Sequence, residues 1–275
     1  MVITAADVSK LRKMTGAGMM DCKRALEEAN GDFEGAIDVI RKKGQAIANK
    51  RADREATEGV VLSKAVEGNK RGAIVVLNCE TDFVAKNEQF VELTKSILNL
   101  GLNNNVKSLD ELKEMKLNGI AVKDVIVEQI GIIGEKLDIP YYEVIEAEYV
   151  SSYIHPGNKL ATLVGFNLPN VDYQVGRDIA MQVAAMSPVA IDCESVPQNV
   201  IDKELEIGKE LARNEGKPEK MLEAIAKGRL SKFFEESTLL SQTFVKDGKI
   251  NIQQYLEQQD KNLKVTDFKR YSLSN

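Results

Sequence analysis

One histidine, three cysteines and no long apolar run mark this 275-residue chain, and each shortage narrows what it can do. With a single imidazole, no glycine-rich phosphate loop, no nucleophile elbow and no metal-ligand spacing, hydrolysis or group transfer would rest on carboxylates alone. The sequence therefore reads as that of a non-enzyme with no cofactor. Cys22, Cys79 and Cys193 are odd in number, widely spaced and in no redox motif. That pattern predicts buried thiols in a reducing compartment. A membrane span needs about 18 consecutive apolar residues, and the amino terminus lacks the apolar stretch of a signal peptide. Both absences lead to the expectation of a cytoplasmic protein without a membrane partner.

What is present is a soluble balance, 43% hydrophobic and 29% charged, in a chain long enough for two or three compact units. The net charge of −5 is unevenly spread: residues 1–54 carry 11 Lys and Arg against 8 Asp and Glu, the remainder 26 against 34. An acidic body is ill suited to neutralising phosphates, which favours a protein partner over any specific nucleic acid. The run Lys50-Arg51-Ala52-Asp53-Arg54 accordingly reads as a solvated linker rather than a nucleic-acid patch.

Thr4 and Asp7 have the spacing of an acidic capping box and open a short helix with Val8 and Leu11 on its apolar side. Cys22, Ala25, Leu26 and Ala29 keep helical spacing up to Asn30-Gly31. Phe33, Ala36, Ile37 and Ile40 do so from Asp32 to an expected stop near Gly44. Residues 1–54 thus read as a three-helix bundle with a basic linker. The pattern then turns extended: Val60-Val61-Leu62, a turn at Gly68-Asn69 and residues 73–77 predict a hairpin. A helix capped by Asn87 follows, with Phe90, Leu93, Thr94, Ile97 and Leu98 on one face.

The same order recurs 89 positions later, where Gly157-Asn158-Lys159 aligns with Gly68-Asn69-Lys70, Val164 with Val75 and Asn167 with Asn78. A helix with Ile179, Val183 and Met186 follows that second strand. The reading is an α+β core of two duplicated strand-strand-helix units, residues 55–140 and 141–275. Helical patterns at residues 108–116 and 122–133 lie between them. Residues 198–234 read as two polar helices around Gly216-Lys217-Pro218. Their narrow stripes (Ile201, Leu205, Gly208, Ala212 and Leu222, Ala226, Leu230, Phe233) predict a protruding antiparallel helical hairpin, inserted at 198–236. Residues 263–273 read as the last strand.

Two strings concentrate the candidate contacts. Thr15-Gly16-Ala17-Gly18-Met19-Met20-Asp21-Cys22-Lys23 sets two methionines and a lysine after a glycine-hinged turn. Methionine moulds to a partner surface, so Met19, Met20 and Lys23 form a candidate patch. Core packing for the methionines and solvation for the lysine are the competing roles. Asn78-Cys79-Glu80-Thr81-Asp82-Phe83-Val84-Ala85-Lys86 holds an aromatic and a carboxylate between a strand and a helix, on a rigid base. Phe83 either points outward or folds back on its own core, and Asp82 either faces a partner or caps the helix. Thr266-Asp267-Phe268 repeats the tripeptide inside an apparent strand, so the full nine-residue context carries the information.

Flanked by Leu11-Arg12 and by Ala25-Leu26 and Glu28-Ala29-Asn30-Gly31-Asp32, the first string resembles the amino-terminal signature of the bacterial elongation factor Ts family. The nine-residue string resembles the loop with which that family enters elongation factor Tu. The resemblance spans nearly the whole chain and implies a ubiquitin-associated-like amino-terminal bundle. It also implies the role of a guanine nucleotide exchange factor that binds elongation factor Tu, GDP-bound and nucleotide-free, without binding nucleotide itself. On this resemblance Thr81, Asp82, Phe83 and Val84 bind the partner and dislocate its Mg2+, with Phe83 wedging between helices beside the ion. Ile133-Gly134 matches an Ile-Gly-Glu contact segment. His155, in Ser152-Tyr153-Ile154-His155-Pro156-Gly157, matches a Ser-Tyr-x-His segment whose histidine faces the partner. From the residues alone, Ile133 is equally a core position and His155 a turn residue. Two departures stand out. Gln182 occupies a position where the family commonly has histidine. Many members also continue past the last strand with a helical segment, whose contact is expected to be missing here.

Overall fold

The computed structural model describes residues 3–66 and 68–274. Three helices come first. Helix α1 (Ala5–Thr15) opens on the expected box: the Thr4 hydroxyl accepts from the Asp7 amide, and the Asp7 carboxylate accepts from the Thr4 amide. It ends at Gly16, whose φ of 74° is left-handed. Helices α2 (Met19–Glu28) and α3 (Phe33–Lys50) follow, α3 capped by the Asp32 carboxylate. Val8, Leu11, Cys22, Ala25, Leu26, Ala36 and Ile40 make their common core.

The chain continues through β1 (Glu58–Ala65), β2 (Arg71–Cys79), the four-residue helix α4 (Asp82–Ala85), α5 (Glu88–Asn103) and α6 (Leu109–Glu114). A minimal hairpin of β3 (Lys116–Leu117) and β4 (Ile120–Ala121) leads into α7 (Val122–Ile133). Then come β5 (Asp138–Glu146), β6 (Tyr149–Ile154), β7 (Leu160–Phe166) and α8 (Tyr173–Met186). After these lie the helix pair α9 (Gln198–Asn214) and α10 (Glu219–Ser237), a hairpin of β8 (Thr243–Phe244) and β9 (Asp247–Asn251), α11 (Ile252–Gln259) and β10 (Val265–Ser272).

Two three-stranded sheets have orders β1-β2-β5 and β10-β7-β6. In the second, both neighbours run antiparallel to β7, with Tyr149 opposite Phe166 and Ser272 opposite Leu160. The duplication is visible in detail. The turn residues Gly68 and Asn69 have φ of 85° and 54°, and their counterparts Gly157 and Asn158 have 92° and 56°. Val75 and Val164 are both fully buried in the central strands. The Asn78 side-chain amide donates to the Ala56 carbonyl at 2.9 Å, and the Asn167 amide donates to the Asn262 carbonyl at 2.9 Å. The chain divides into two compact units. One holds the residues up to Leu62, Ile74–Glu143 and the carboxyl-terminal residues; the other holds Ser63–Ala73 and Val144–Ser272.

Three expectations are corrected. Helix α3 runs past Gly44 to Lys50, because Gly44 is a crossing point rather than a stop. A Cβ there would lie 2.8 Å from the Val127 carbonyl oxygen, and one on Gly131 would lie 2.7 Å from the Gly44 Cα, so α3 and α7 touch backbone to backbone. Met186, unlike Ile179 and Val183, is exposed: it is the last residue of α8, and the chain turns at Ser187. Cys193 is exposed while Cys22 and Cys79 are buried.

In α9 and α10, Gly208, Ala212, Leu222 and Ala226 are buried between the helices, and a Cβ on Gly208 would sit 3.1 Å from the Ala226 Cα. Ion pairs Arg213–Glu219 (2.8 Å) and Arg229–Glu215 (2.6 Å) flank the turn. The core of the second unit gathers Phe166, Ile179, Val183, Leu239, Ile252 and Leu256. Among the described residues no helix is long and apolar enough to cross a membrane.

Candidate functional site

Phe83 is 84% exposed, the extreme among the large hydrophobic side chains of the described residues. It is the second residue of α4, which follows directly from the central strand β2. The cap of this short helix is Thr81, whose hydroxyl accepts from the Val84 amide at 3.5 Å. Asp82 is therefore not the cap; it sits inside the helix and pairs with Lys86 at 2.6 Å. Ala85 is buried and Val84 half-buried, so the turn is anchored on one side and carries its phenyl ring on the other.

Two carboxylates fix this turn. Glu135 accepts from the amides of Glu80 (3.1 Å) and Thr81 (3.0 Å) and from the Thr81 hydroxyl (2.6 Å). Glu80 reciprocates, accepting from the Lys136 amide at 2.6 Å and from the Arg51 guanidinium at 2.7 and 2.9 Å. Burial would raise the Glu80 pKa, but the Lys136 amide and the Arg51 and Arg54 charges outweigh it and hold the carboxyl below its usual range. Lys136 closes the ring by donating its ammonium to the carbonyls of Ala52 (2.6 Å) and Arg54 (2.8 Å). The basic run is exposed apart from half-buried Arg51, as a solvated linker should be, but it is also anchored: a Glu80 side chain only 12% exposed pairs with Arg51 and, at 3.7 Å, with Arg54. Burial pushes the neighbouring Cys79 thiol up to about 12, with the Glu135 charge adding to the effect, so it is an inert thiol.

Ile133 is half-buried at the end of α7, and Gly134 closes that helix with φ of 79°, its amide donating to the Ile130 carbonyl at 2.9 Å. The left-handed turn at Gly134 delivers Glu135 to the Phe83 turn, so these two predicted segments are brought together. Met19, Met20 and Lys23 form a patch of their own on α2. The methionines are 46% and 61% exposed, while Ala17 and Cys22 turn inward. Lys23 pairs loosely with Glu27 at 3.8 Å. Met14, at the end of α1, is also exposed and was not singled out by sequence.

His155 belongs to the second unit and is exposed in the β6–β7 turn, its amide donating to the Leu160 carbonyl at 2.9 Å. Its Nδ1 lies 3.0 Å from the Tyr153 hydroxyl. Arg177 stacks 5.7 Å from the centroid of the Tyr153 ring and donates to the hydroxyl of exposed Tyr173 at 3.2 Å. This ladder draws on β6, its turn and α8, so no local spacing announces it. Among the described residues no cluster of three or more His, Cys, Asp or Glu is arranged for a metal ion.

A family model described as Elongation factor TS matches residues 80–275. The chain belongs to the elongation factor Ts family. It is 53% identical over 275 residues to elongation factor Ts of Porphyromonas gingivalis, covering 100% of this chain and 99% of that one. It is 47% identical over 274 residues to that of Azobacteroides pseudotrichonymphae (100% and 99% covered). With that of Christiangramia forsetii the identity is 48% over 273 residues (98% of each chain). These matches place it among the translation elongation factors.

In this chain Gln182 is fully buried. Its carbonyl accepts from the Val245 amide at 2.9 Å, and its amide donates to the Thr243 carbonyl at 3.1 Å and to Gln242 at 3.3 Å. The side chain fastens α8 to the β8–β9 hairpin rather than facing solvent. Glu80, Glu135, Lys136 and Arg51 were missed as site residues by sequence reasoning. The signal that could have found Glu135 is its place directly after the Ile-Gly pair.

Proposed function

We propose that this chain is the guanine nucleotide exchange factor of elongation factor Tu, working in the cytoplasm on the GDP-bound form and passing through a nucleotide-free complex. Phe83 inserts between partner helices. The insertion shifts the phosphate-binding backbone and displaces the Mg2+ that neutralises the GDP phosphates, so GDP leaves and GTP can enter. No covalent bond changes, and the chain holds no nucleotide of its own. By reciprocity the factor weakens GDP as much as GDP weakens the factor; a coupling of about 4 kcal/mol is a factor of about a thousand.

The observation that supports this reading is an 84%-exposed phenylalanine on a pinned turn. Burying such a ring yields about 1.5–3 kcal/mol, and the fixed backbone lets that energy go into the partner rather than into ordering the loop. Thr81 and Val84 set the turn, and Asp82 with Lys86 lines its rim. Met19, Met20, Lys23, Ile133, Gly134 and His155 supply further contacts to the same partner, one copy of the chain to one partner.

The test is release of a fluorescent GDP from purified elongation factor Tu at matched salt, with the native chain and with Phe83→Ala. Acceleration that the variant largely loses supports both the function and the wedge. Acceleration that survives the substitution keeps the function and discards the wedge, and no acceleration by the native chain sinks the exchange reading.

A further inference from the structure

We propose that Glu80 and Glu135 form a reciprocal latch that pre-orders three segments into one surface: the Phe83 turn, the end of α7 and the linker after α3. Both carboxylates are then positioning residues for partner binding rather than contact residues. This rests on the reading of Phe83 as the residue that enters the partner.

A four-residue helix cannot hold itself, since isolated helices shorter than about 12 residues are marginal in water. Something outside α4 must fix it, and the hydrogen bonds name the holder. Each carboxylate grips the backbone beside the other: Glu135 takes the Glu80 and Thr81 amides, and Glu80 takes the Lys136 amide. The third segment joins through Arg51 on Glu80 and through Lys136 on the carbonyls of Ala52 and Arg54. Glu135 spends its two oxygens on three donors of the chain itself, which suits a brace better than a group aimed at a partner. Pre-ordering of this kind tightens binding by removing the cost of ordering the loop in the complex.

A brace and a wedge leave different kinetic marks. The wedge sets the rate of GDP release at saturating factor, whereas a brace sets how much factor is needed, because a bound partner re-orders the loop. Glu135→Ala is therefore expected to raise the half-saturating concentration about tenfold or more, the reading of about 1.4 kcal/mol of lost pre-ordering. Its maximal rate stays within about twofold of native, while Phe83→Ala lowers the maximal rate. Glu135→Gln keeps a carbonyl oxygen for the two amides and restores most of the affinity.

Amide hydrogen exchange on the free protein is the second measurement. Glu135→Ala should release the Glu80 and Thr81 amides while leaving the α3 and β2 amides protected. Release of all of these together means general unfolding and overturns the latch. Unchanged protection at Glu80 and Thr81, or an unchanged half-saturating concentration in a factor that is active, overturns it as well. If the native chain accelerates no GDP release, the exchange reading fails. The exchange pattern of the two amides then still decides whether the latch orders the turn.

Discussion

The crossing of α3 and α7 predicts that one chemical change, glycine to alanine in a helix, stabilises at one site and fails to stabilise at another. In α10, Gly228 is exposed, with no atom within 4 Å of the place a Cβ would take, so Gly228→Ala should collect the helix-propensity gain of about 0.5–1 kcal/mol. At Gly131 the new methyl would lie 2.7 Å from the Gly44 Cα. Carbon atoms in contact rest at about 3.5–4.0 Å, so the helices must separate by about 1 Å, and backbone cannot swing aside as a side chain can. Overpacking of that kind costs about 1–3 kcal/mol, against the same propensity gain of about 1 kcal/mol. Gly131→Ala should therefore end neutral to about 2 kcal/mol destabilised. The difference between the two variants, about 1–3 kcal/mol, is the packing term itself. Urea unfolding of each variant against the native chain reads it. If Gly131→Ala stabilises as much as Gly228→Ala, the backbone contact at Gly44 is not where the structure places it.

A thiol reagent applied to the folded chain should modify one cysteine quickly, Cys193, with Cys22 and Cys79 reacting only on unfolding; rapid loss of two or three thiols would contradict the burial. Glu80 has its folded pKa depressed, so its stabilisation is complete above the unfolded glutamate value of about 4.3 and fades as pH falls from there through the lower folded value. Glu80→Gln should accordingly be less stable than native at pH 7, with the gap closing in acid; a gap constant from pH 7 to 3 would refute the charge origin. Asp178, 5% exposed, accepts from Lys246 (2.6 Å), Gln174 (2.6 Å) and Tyr255 (3.1 Å). Asp178→Ala should cost about 1–3 kcal/mol in unfolding experiments, because it removes three hydrogen bonds to a buried carboxylate and leaves the half-buried Tyr255 hydroxyl without its acceptor.

Elements with a strong period were legible from the residues. Helices α1, α2, α5 and α7, the Gly-Asn turns and the 89-residue repeat all follow from spacing that local physics enforces. What failed did so for identifiable reasons. Gly44 looks like a helix end because glycine is a poor helix former, and only tertiary packing against Gly131 reveals why it is there. The β3–β4 and β8–β9 hairpins include strands of two residues, too short to show a period. Helix α11 carried a readable start, since Asn251 and Gln254 form a capping box, but its glutamine-rich face hid the stripe of Ile252 and Leu256. The tripeptide Thr-Asp-Phe occurs twice with opposite outcomes: Phe83 stands in solvent, while Phe268 packs half-buried from β10 against the second core. The exposed aromatic was legible through its nine-residue context. The residues that hold it were not, because Glu135 and Thr81 are 54 positions apart.

The duplicated core suggests how one unit came to expose a phenyl ring and the other did not. At the end of each central strand lies an asparagine, Asn78 one residue before the last of β2 and Asn167 one residue after β7, whose amide ties down a distant carbonyl, and each strand is followed by a helix. Counting on by 89, Glu80 and Thr81 fall on Pro169 and Asn170, and Asp82 and Phe83 fall on Val171 and Asp172. Val171 is buried, and Asp172 caps α8 directly by accepting from the Gln174 and Val175 amides. In the second unit, therefore, the chain enters its long helix at once. In the first, a one-turn helix intervenes before α5, which leaves the turn without a cap from the long helix and dependent on Glu135. The extra turn lifts Phe83 clear of its own core, and the carboxylate brace keeps it there; neither device has a counterpart at the aligned positions of the other half. The same scaffold thus yields a covered end, where Val171 is buried, and an open one, where Phe83 stands in solvent.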